Sequence, residues 1–199
     1  MNFKLILLSG LVLSLLLFAA LIYSNASNSN GSAFDILYAS EPPDQESKHH
    51  HAWYEGYEFP VQKSEEEWRA QLSRSEFRIL RNDGTEIPFI NAYYDNFDEG
   101  IYVCTGCNQP LYSSEHQYKS GTGWPSYWQP IAASAVLSKP DPGIWGERTE
   151  IICSGCGGHL GHVFDDGPEP TGLRYCMNSA AMTFIPAGEE LPEPEAGAR

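Results

Sequence analysis

The cysteines are the residues of this sequence whose type and spacing point most directly to chemistry. The chain has five cysteines, and four of them form two pairs with the spacing C-x-x-C: Cys104 with Cys107 and Cys153 with Cys156. Two such turns supply the four thiolate ligands of a tetrahedral zinc site. A zinc ion held by four protein ligands has no open position for substrate, so its expected role is to stabilise the fold.

Three other uses of the two cysteine pairs stay open on the sequence alone. The pairs could form two disulfides, which exported proteins often carry, or they could hold an iron-sulfur cluster. They could also be redox pairs, although a thioredoxin-like C-x-x-C pair precedes a helix in a βαβ unit and neither pair here does. Structural zinc is therefore the favoured interpretation.

The fifth cysteine, Cys176, is the candidate nucleophile. A lone cysteine often serves only as a small buried hydrophobic residue. Here Arg174 lies two positions before it, and two histidines, His159 and His162, lie upstream. Cationic neighbours lower the pKa of a thiol and raise its thiolate population. On a strand, Arg174, Cys176 and Asn178 would project to the same face, so the sequence predicts a face that carries a cation, a nucleophile and an amide.

The two histidines have alternative roles. Each could be a zinc ligand in place of a cysteine, or a core residue whose ring nitrogens are hydrogen-bonded. Four thiolates already complete a tetrahedral shell, so the zinc ion does not require either histidine. A histidine close to a cysteine supports nucleophilic attack with general-acid assistance, and this is the role that we predict.

Short segments must position these residues. Ser64 and Glu67 fit a capping box, which predicts a short amphipathic helix that buries Trp68 and Leu72 and ends near Leu72. Helical periodicity then largely stops, and turn sequences such as N-D-G and P-D-P-G separate aromatic and β-branched runs. This pattern is typical of a mainly β, antiparallel domain. The expected strands include residues 77–80, 100–103, 135–137, 149–152, 162–164 and 182–185.

The ends of the chain differ in composition from its middle. A long uncharged, apolar run predicts a signal peptide or a membrane anchor within residues 1–26. The polar stretch 27–59 predicts a disordered linker, and the acidic stretch 189–199 predicts a disordered tail. The folded domain is therefore expected at residues 60–188.

The number and distribution of charged residues limit both the expected location of the chain and its expected binding partners. Lys4 is the only charged residue before Asp35, so the N-terminus is expected to stay in the cytoplasm and the rest of the chain to be exported, either anchored to the membrane or released. The net charge is −14 at pH 7. A surface of this sign repels nucleic acid, so DNA binding through the cysteine pairs is not expected.

Residues 77–185 resemble the methionine sulfoxide reductase B family, which reduces the R epimer of methionine sulfoxide. The resemblance covers essentially the whole predicted domain and rests on several motifs in order. They are R-I-L-R-N-D-G-T-E-I-P-F at 78–89, the two cysteine pairs, S-G-T-G-W-P-S at 120–126, H-L-G-H-V-F-D-D-G-P at 159–168 and R-Y-C-M-N-S-A-A-M at 174–182. It implies a twisted antiparallel β fold of the Mss4-like, or β-tent, type with zinc at one end.

The resemblance also implies a role for each candidate site residue. Cys176 resembles the nucleophile that attacks the sulfoxide sulfur and becomes a sulfenic acid. His162 resembles the residue that assists protonation of the sulfoxide oxygen, with His159 beside it. The other matches are an amide of the pocket, a cation near the thiol and an indole against which the S-methyl group packs: Asn178, Arg174 and Trp124.

One position departs from the family pattern. Many members have a second, resolving cysteine where this sequence has Thr122. The other four cysteines are assigned to zinc, so the sequence predicts direct reduction of the Cys176 sulfenic acid by an external thiol. A thioredoxin-like protein and a small thiol are both candidate reductants. Oxidised methionine residues in proteins and free methionine sulfoxide are both candidate substrates.

Two other classes of function compete with a reductase. A peptide-binding or chaperone-like module could keep this scaffold without turnover, but it would not need a thiolate with a histidine and an arginine nearby. A metal-dependent hydrolase is disfavoured, because a four-cysteine zinc site has no open position for water or substrate.

Overall fold

The protein is described here by a computed structural model, which covers residues 54–143 and 146–195. The predicted signal peptide or anchor and most of the predicted linker lie outside the described residues. Within those residues, no helix has the length and apolar character needed to span a membrane. The domain boundaries drawn from the sequence stay predictions.

Helix α1 spans Glu65–Gln71 and confirms the helix predicted from its capping box. The Ser64 hydroxyl accepts a hydrogen bond from the Glu67 N–H, and the Glu67 carboxylate accepts one from the Ser64 N–H. These reciprocal bonds satisfy backbone donors that the first helical turn leaves unpaired. Trp68 and Leu72 are both buried, as predicted.

Helix α2 spans Arg74–Arg81, so the strand predicted at residues 77–80 was wrong. A second complete capping box, formed by Ser73 and Glu76, begins this helix. A short apolar run cannot be assigned to a helix or a strand by periodicity alone, and the capping box was the signal that decided it. The buried residues of α2 are Phe77, Ile79 and Leu80.

Nine strands in the described residues form two sheets in which every pair of neighbours is antiparallel. One sheet has the order β2-β1-β9 and the other the order β3-β4-β8-β7-β6-β5. The mainly β, antiparallel fold class with a short N-terminal helix is therefore confirmed. The strands are β1 (Gly100–Cys104), β2 (Pro110–Ser113), β3 (Gln117–Tyr118), β4 (Ser126–Tyr127), β5 (Val136–Gly143), β6 (Gly146–Cys153), β7 (His159–Phe164), β8 (Arg174–Met177) and β9 (Met182–Pro186).

Four buried tyrosines join the two sheets. Tyr102 on β1 and Tyr112 on β2 meet Tyr127 on β4 and Tyr175 on β8. The rings of Tyr112 and Tyr127 stack with their centroids 4.4 Å apart. Aromatic pairs of this kind each add about 0.5–1.5 kcal/mol to the free energy gained by burial. Because side chains alternate along a strand, the burial of Tyr175 directs its neighbours on β8 to the other face of the sheet.

The segment after β9 lies beside the first cysteine pair. The Glu195 N–H donates a hydrogen bond to the Cys107 carbonyl at 2.8 Å. Asn108 donates its side-chain N–H to the Glu193 carbonyl at 3.2 Å, and Lys63 forms an ion pair with Glu195. Acidic residues near the end of the described chain therefore contact the turn that carries Cys107.

Candidate active site and metal centre

The four paired cysteines meet in one buried cluster. Their sulfur atoms all lie within 4.8 Å of one another. The Cys104 and Cys156 sulfurs are 3.8 Å apart, and the Cys107 and Cys153 sulfurs are 3.5 Å apart. A tetrahedral ion with metal–sulfur bonds of about 2.3 Å holds its sulfurs about 3.8 Å apart. The cluster therefore fits a four-thiolate metal site, and all five cysteines are free of disulfide bonds.

The two cysteine pairs share one backbone geometry. In each pair the residue after the second cysteine has a positive φ, 61° at Asn108 and 69° at Gly157. The Asn108 N–H donates to the Cys104 carbonyl and the Gly157 N–H donates to the Cys153 carbonyl, both at 2.8 Å. Glycine adopts positive φ freely and asparagine tolerates it better than most residues. The residue types after each pair thus suit the turns that direct the thiols to one point.

The fifth thiol, Cys176, lies on β8 and is partly exposed. His162 on β7 and Ser126 on β4 are directly opposite it in the sheet, so all three project from the same face. The Thr122 hydroxyl lies 4.0 Å from the Cys176 sulfur. Ser120 fixes this arrangement, because its hydroxyl lies 2.9 Å from that of Thr122 and 2.7 Å from that of Ser126.

Burial raises the pKa of the Cys176 thiol, although the Arg174 guanidinium opposes this effect. Arg174 thus lowers this pKa as predicted, but burial has the larger effect, so the expected net lowering was wrong. Two further features limit the cationic effect. Asp166 engages Arg174 and offsets its positive charge. Burial also lowers the pKa of His162, so its ring is neutral at neutral pH and contributes no positive charge.

Arg174 is held in place by a carboxylate that the sequence analysis did not assign. Its guanidinium donates two hydrogen bonds to Asp166, at 2.8 and 2.9 Å, and lies 4.3 Å from the centroid of the Phe164 ring. Hydrogen bonding to Arg174 is the main reason why the pKa of Asp166 lies below its ordinary value. Asp166 belongs to the motif H-L-G-H-V-F-D-D-G-P at 159–168, in which roles were predicted only for the two histidines.

Asn178 follows the last residue of β8 and is almost fully buried. Its side-chain oxygen accepts a hydrogen bond from the Glu86 N–H at 3.0 Å, and its side-chain N–H donates to the Leu160 carbonyl at 3.1 Å. The amide predicted to belong to the pocket is thus engaged by backbone groups. It ties the segment around Glu86 to the sheet next to the thiol.

Glu86 is a second residue to which the sequence analysis gave no role. Its carboxylate accepts hydrogen bonds from the N–H groups of Ser179 and Ala180, and burial raises its pKa. Its carbonyl accepts a hydrogen bond from the indole N–H of Trp124 at 3.2 Å. Glu86 therefore links the loop that carries Trp124 to the turn after β8, and these contacts over long sequence distance leave no local signal.

Each of the two histidines is bonded to a carboxylate from β5 or β6. The Nδ1 atom of His159 lies 2.8 Å from an Oε1 atom of Glu150, and the Nε2 atom of His162 lies 2.8 Å from an Oδ2 atom of Asp141. The two ring centroids are 5.4 Å apart. Neither histidine belongs to the cysteine cluster, so the alternative in which one replaces a cysteine ligand is wrong. No role was predicted from the sequence for either carboxylate.

This geometry separates two functions. The cluster of four thiols can hold a metal ion, and among residues 54–143 and 146–195 no further histidine, cysteine or carboxylate belongs to it. On the face of the second sheet, a partly exposed thiol lies beside an imidazole that is oriented by a carboxylate. A thiol and an imidazole on adjacent strands can carry out nucleophilic attack with proton transfer.

Comparison with known proteins gives a consistent result. A model of the SelR domain family matches residues 72–186. The peptide methionine sulfoxide reductase MsrB of Leptospira interrogans is 53% identical over 126 residues, which cover 63% of this chain and 96% of that protein. The protein of the same name from Hahella chejuensis is 50% identical over 136 residues, covering 68% and 98%. The one from Agrobacterium fabrum is 48% identical over 126 residues, covering 63% and 93%.

Proposed function

The chain belongs to the SelR domain family, and on that premise we propose that it reduces the R epimer of methionine sulfoxide with Cys176 as the nucleophile. Reduction of methionine sulfoxide itself is the activity of the family to which the chain belongs. One observation supports Cys176 as the nucleophile. Cys176 is the only cysteine outside the buried cluster, and it lies directly opposite His162 on the neighbouring strand.

In the proposed reaction the Cys176 sulfur attacks the sulfoxide sulfur. A sulfoxide oxygen leaves sulfur reluctantly until it is protonated, and His162 supplies this proton as a general acid. The products are methionine and a sulfenic acid on Cys176, so the substrate sulfur gains two electrons and the cysteine sulfur loses two. The oxygen of the Cys–SOH group carries the proton from His162. Cys176 releases its thiol proton to solvent as it attacks and His162 takes one up afterwards, so the net reaction converts a thiol and a sulfoxide into a sulfenic acid and a thioether.

The substrate pocket is proposed to distinguish the two epimers by its apolar wall. The Trp124 indole is held by its hydrogen bond to the Glu86 carbonyl, and the substrate S-methyl group packs against it. The epimers exchange the positions of the methyl group and the oxygen. A pocket with the indole on one side and His162 on the other therefore accepts one of them.

The sulfenic acid is proposed to be reduced by a thiol from outside the chain. Thr122 is the residue whose hydroxyl lies 4.0 Å from the Cys176 sulfur, and threonine cannot form a disulfide. An external thiol condenses with the sulfenic acid, releasing water and forming a mixed disulfide. A second thiol then displaces Cys176 by exchange. A thioredoxin-like protein and a small thiol both supply this chemistry.

The cysteine cluster is proposed to bind one zinc ion. Cys104 and Cys107 from the end of β1 and Cys153 and Cys156 from the end of β6 would hold it. When bound, the ion supplies structural cross-linking and no open coordination position. It would link β1 of one sheet to β6 of the other.

Export is proposed from the apolar run within residues 1–26 and the charge pattern around it. Oxidised methionines in exported proteins are then the proposed substrates, in keeping with the word peptide in the relatives' names. Intact mass analysis of the exported protein tests the first point. Loss of about the first 26 residues indicates a cleaved signal peptide, whereas an intact N-terminus indicates an anchor. Recovery of the full chain in the cytoplasmic fraction contradicts export.

The test of the proposed activity uses separated R and S epimers of methionine sulfoxide, the full zinc-loaded chain and excess dithiothreitol. We expect turnover of the R epimer and none of the S epimer. Equal turnover of both epimers, or turnover of the S epimer alone, would contradict the proposed pocket.

A further inference from the structure

We propose that the hairpin formed by β5 and β6 holds the two site histidines in opposite tautomers, through Glu150 and Asp141. It follows that the proton transferred to the sulfoxide oxygen comes from the Nδ1 atom of His162. This inference rests on the proposed role of His162 as a general acid and goes beyond it. Glu150 and Asp141 are positioning residues, because each acts through a histidine.

The hairpin carries two ion pairs on one face. In one pair the cation is on β5, and in the other it is on β6. Lys139 on β5 lies opposite Glu150 on β6, and Asp141 on β5 lies opposite Arg148 on β6. The Lys139 ammonium is 2.9 Å from the Glu150 carboxylate, and the Arg148 guanidinium is bonded to the Asp141 carboxylate. Residues two positions apart on a strand share a face. Each carboxylate therefore has a cation from the neighbouring strand and a histidine from β7.

Both carboxylates are ionised at neutral pH. Glu150 is nearly fully buried, and burial opposes its ionisation, yet hydrogen bonds from His159 and Lys139 leave its pKa below the ordinary value. Burial also opposes ionisation of Asp141, but hydrogen bonds from His162 and Arg148 lower its pKa. Ionised carboxylates accept hydrogen bonds and cannot donate them.

The tautomers follow from this assignment. The histidine nitrogen that faces an ionised carboxylate must carry the hydrogen, and a neutral ring has one. His159 faces Glu150 with Nδ1, so in the neutral form of this ring the Nε2 atom is bare. His162 faces Asp141 with Nε2, so its Nδ1 atom is bare. The Nε2 atom of His159 is buried and has no hydrogen-bond partner among the described residues, so the contact at Nδ1 is the one that sets its tautomer.

This arrangement determines which nitrogen of His162 meets the substrate. His162 lies opposite Cys176 on one side and opposite Glu150 on the other, and Asp141 occupies its Nε2 atom. The proton that passes to the sulfoxide oxygen is therefore bound at Nδ1 of the imidazolium. Asp141 keeps its hydrogen bond during the transfer and stabilises the imidazolium beforehand. The neutral ring regains the Nδ1 proton from solvent.

The charges around the two rings make the pairing with Asp141 specific. Burial lowers the pKa of His162. The Asp141 carboxylate that faces this ring raises the same pKa, and the Arg148 guanidinium lowers it. His159 faces Glu150, and an oxygen of the exposed Asp83, just after α2, lies within 4.8 Å of ligand atoms of both. Loss of the Asp141 charge leaves Arg148 as a positive neighbour of His162, so the pKa of His162 is expected to fall.

The direct test is nitrogen-15 NMR of the full zinc-loaded chain with labelled histidine. Long-range proton–nitrogen correlations distinguish the two tautomers, and loss of signals in His159→Asn and His162→Asn variants assigns the rings. We expect the hydrogen on Nδ1 in His159 and on Nε2 in His162 at neutral pH. The same tautomer in both rings, or the reverse assignment, would overturn the proposal without bearing on whether the chain is a reductase.

A kinetic test compares Asp141→Asn with Asp95→Asn, which removes an exposed carboxylate paired with Lys119. We expect Asp141→Asn to lower kcat/KM by roughly tenfold or more, less than the roughly 10²–10⁴-fold effect of a general acid. The loss should be larger at pH 8 than at pH 6, because a lowered pKa reduces the protonated fraction of His162 most at high pH. Asp95→Asn should behave as the unmodified protein does.

Alkylation of Cys176 by iodoacetamide separates this role from a structural one. Asp141→Asn should leave the alkylation rate and the zinc content unchanged, and Asp141→Glu should recover part of the activity. A pH-independent loss of kcat/KM, or a parallel loss of alkylation, would mean that Asp141 only supports the fold and would overturn the proposal.

Discussion

Two groups of cysteines in this protein have the same functional group and opposite chemistry. In the cluster, four buried sulfurs face one another at the ends of β1 and β6. On β8, the Cys176 sulfur is partly exposed and has a hydroxyl from Thr122 and an imidazole from His162 as neighbours. The comparison shows that the neighbours of a thiol decide its function. Sulfur neighbours create a metal site, whereas oxygen and nitrogen neighbours leave the thiol free to react.

The largest expected effect comes from changing the reactive thiol alone. Cys176→Ser should lower turnover of the R epimer by several orders of magnitude, as loss of a nucleophile does in other enzymes. Zinc content and melting temperature should not change, because the side chain lies outside the cluster. Steady-state assays with zinc analysis check this. Substantial remaining turnover would show that another group is the nucleophile.

Removing one thiol of the cluster should reduce metal binding and stability, which the change at Cys176 leaves intact. Cys153→Ser should lose the metal and lower the free energy of unfolding by several kcal/mol, because binding energy at a structural site is folding energy. Activity should be lost only as far as the domain unfolds. Urea titration with zinc analysis measures both quantities. A variant that lacks the metal but is equally stable and fully active would contradict a structural role of the cluster.

A thiol introduced next to Cys176 should change how the enzyme is recycled. The Thr122 hydroxyl is 4.0 Å from the Cys176 sulfur, so a cysteine there needs only a small shift to reach the sulfur–sulfur distance of about 2.05 Å. Thr122→Cys should therefore form an internal disulfide after one turnover without reductant. Native thiol titration after oxidation by substrate should show a sulfenic acid in the unmodified protein and none in the variant. An internal disulfide in the unmodified protein would contradict reduction by an external thiol.

The smallest effect should come from two equivalent glycines in the cysteine pairs. A Cβ atom at Gly155 would lie 2.8 Å from the Cys107 sulfur, whereas one at Gly106 would lie 3.5 Å or more from every neighbour. Gly155→Ala should cost about 1–3 kcal/mol through overpacking, and Gly106→Ala should be nearly neutral. Zinc release by a chelator and urea titration compare the variants. Equal effects of both substitutions would mean that the cluster adjusts freely.

Local patterns were enough to predict much of the site. The two C-x-x-C pairs indicated the cluster, and the one cysteine left over indicated Cys176, because the spacing of each pair lies within a single turn. The capping box at Ser64 predicted α1 for the same reason, since its two hydrogen bonds span three residues. The equivalent signal at Ser73 was also present in the sequence, and giving more weight to the following apolar run produced the wrong strand.

Only the tertiary structure decided which groups surround the histidines and the reactive thiol. Asp141 and His162 are 21 residues apart in the sequence. They meet because β5 and β7 both pair with β6, and the alignment of residues in these two pairings brings both side chains to the same face. A slip of one residue would send these side chains to opposite faces of the sheet, and the sequence does not show that register directly. The pKa of Cys176 depends on burial as well as on charge, and burial is a property of the whole fold. The sequence by itself thus determined the reactive groups, and the strand register determined how those groups are oriented and protonated.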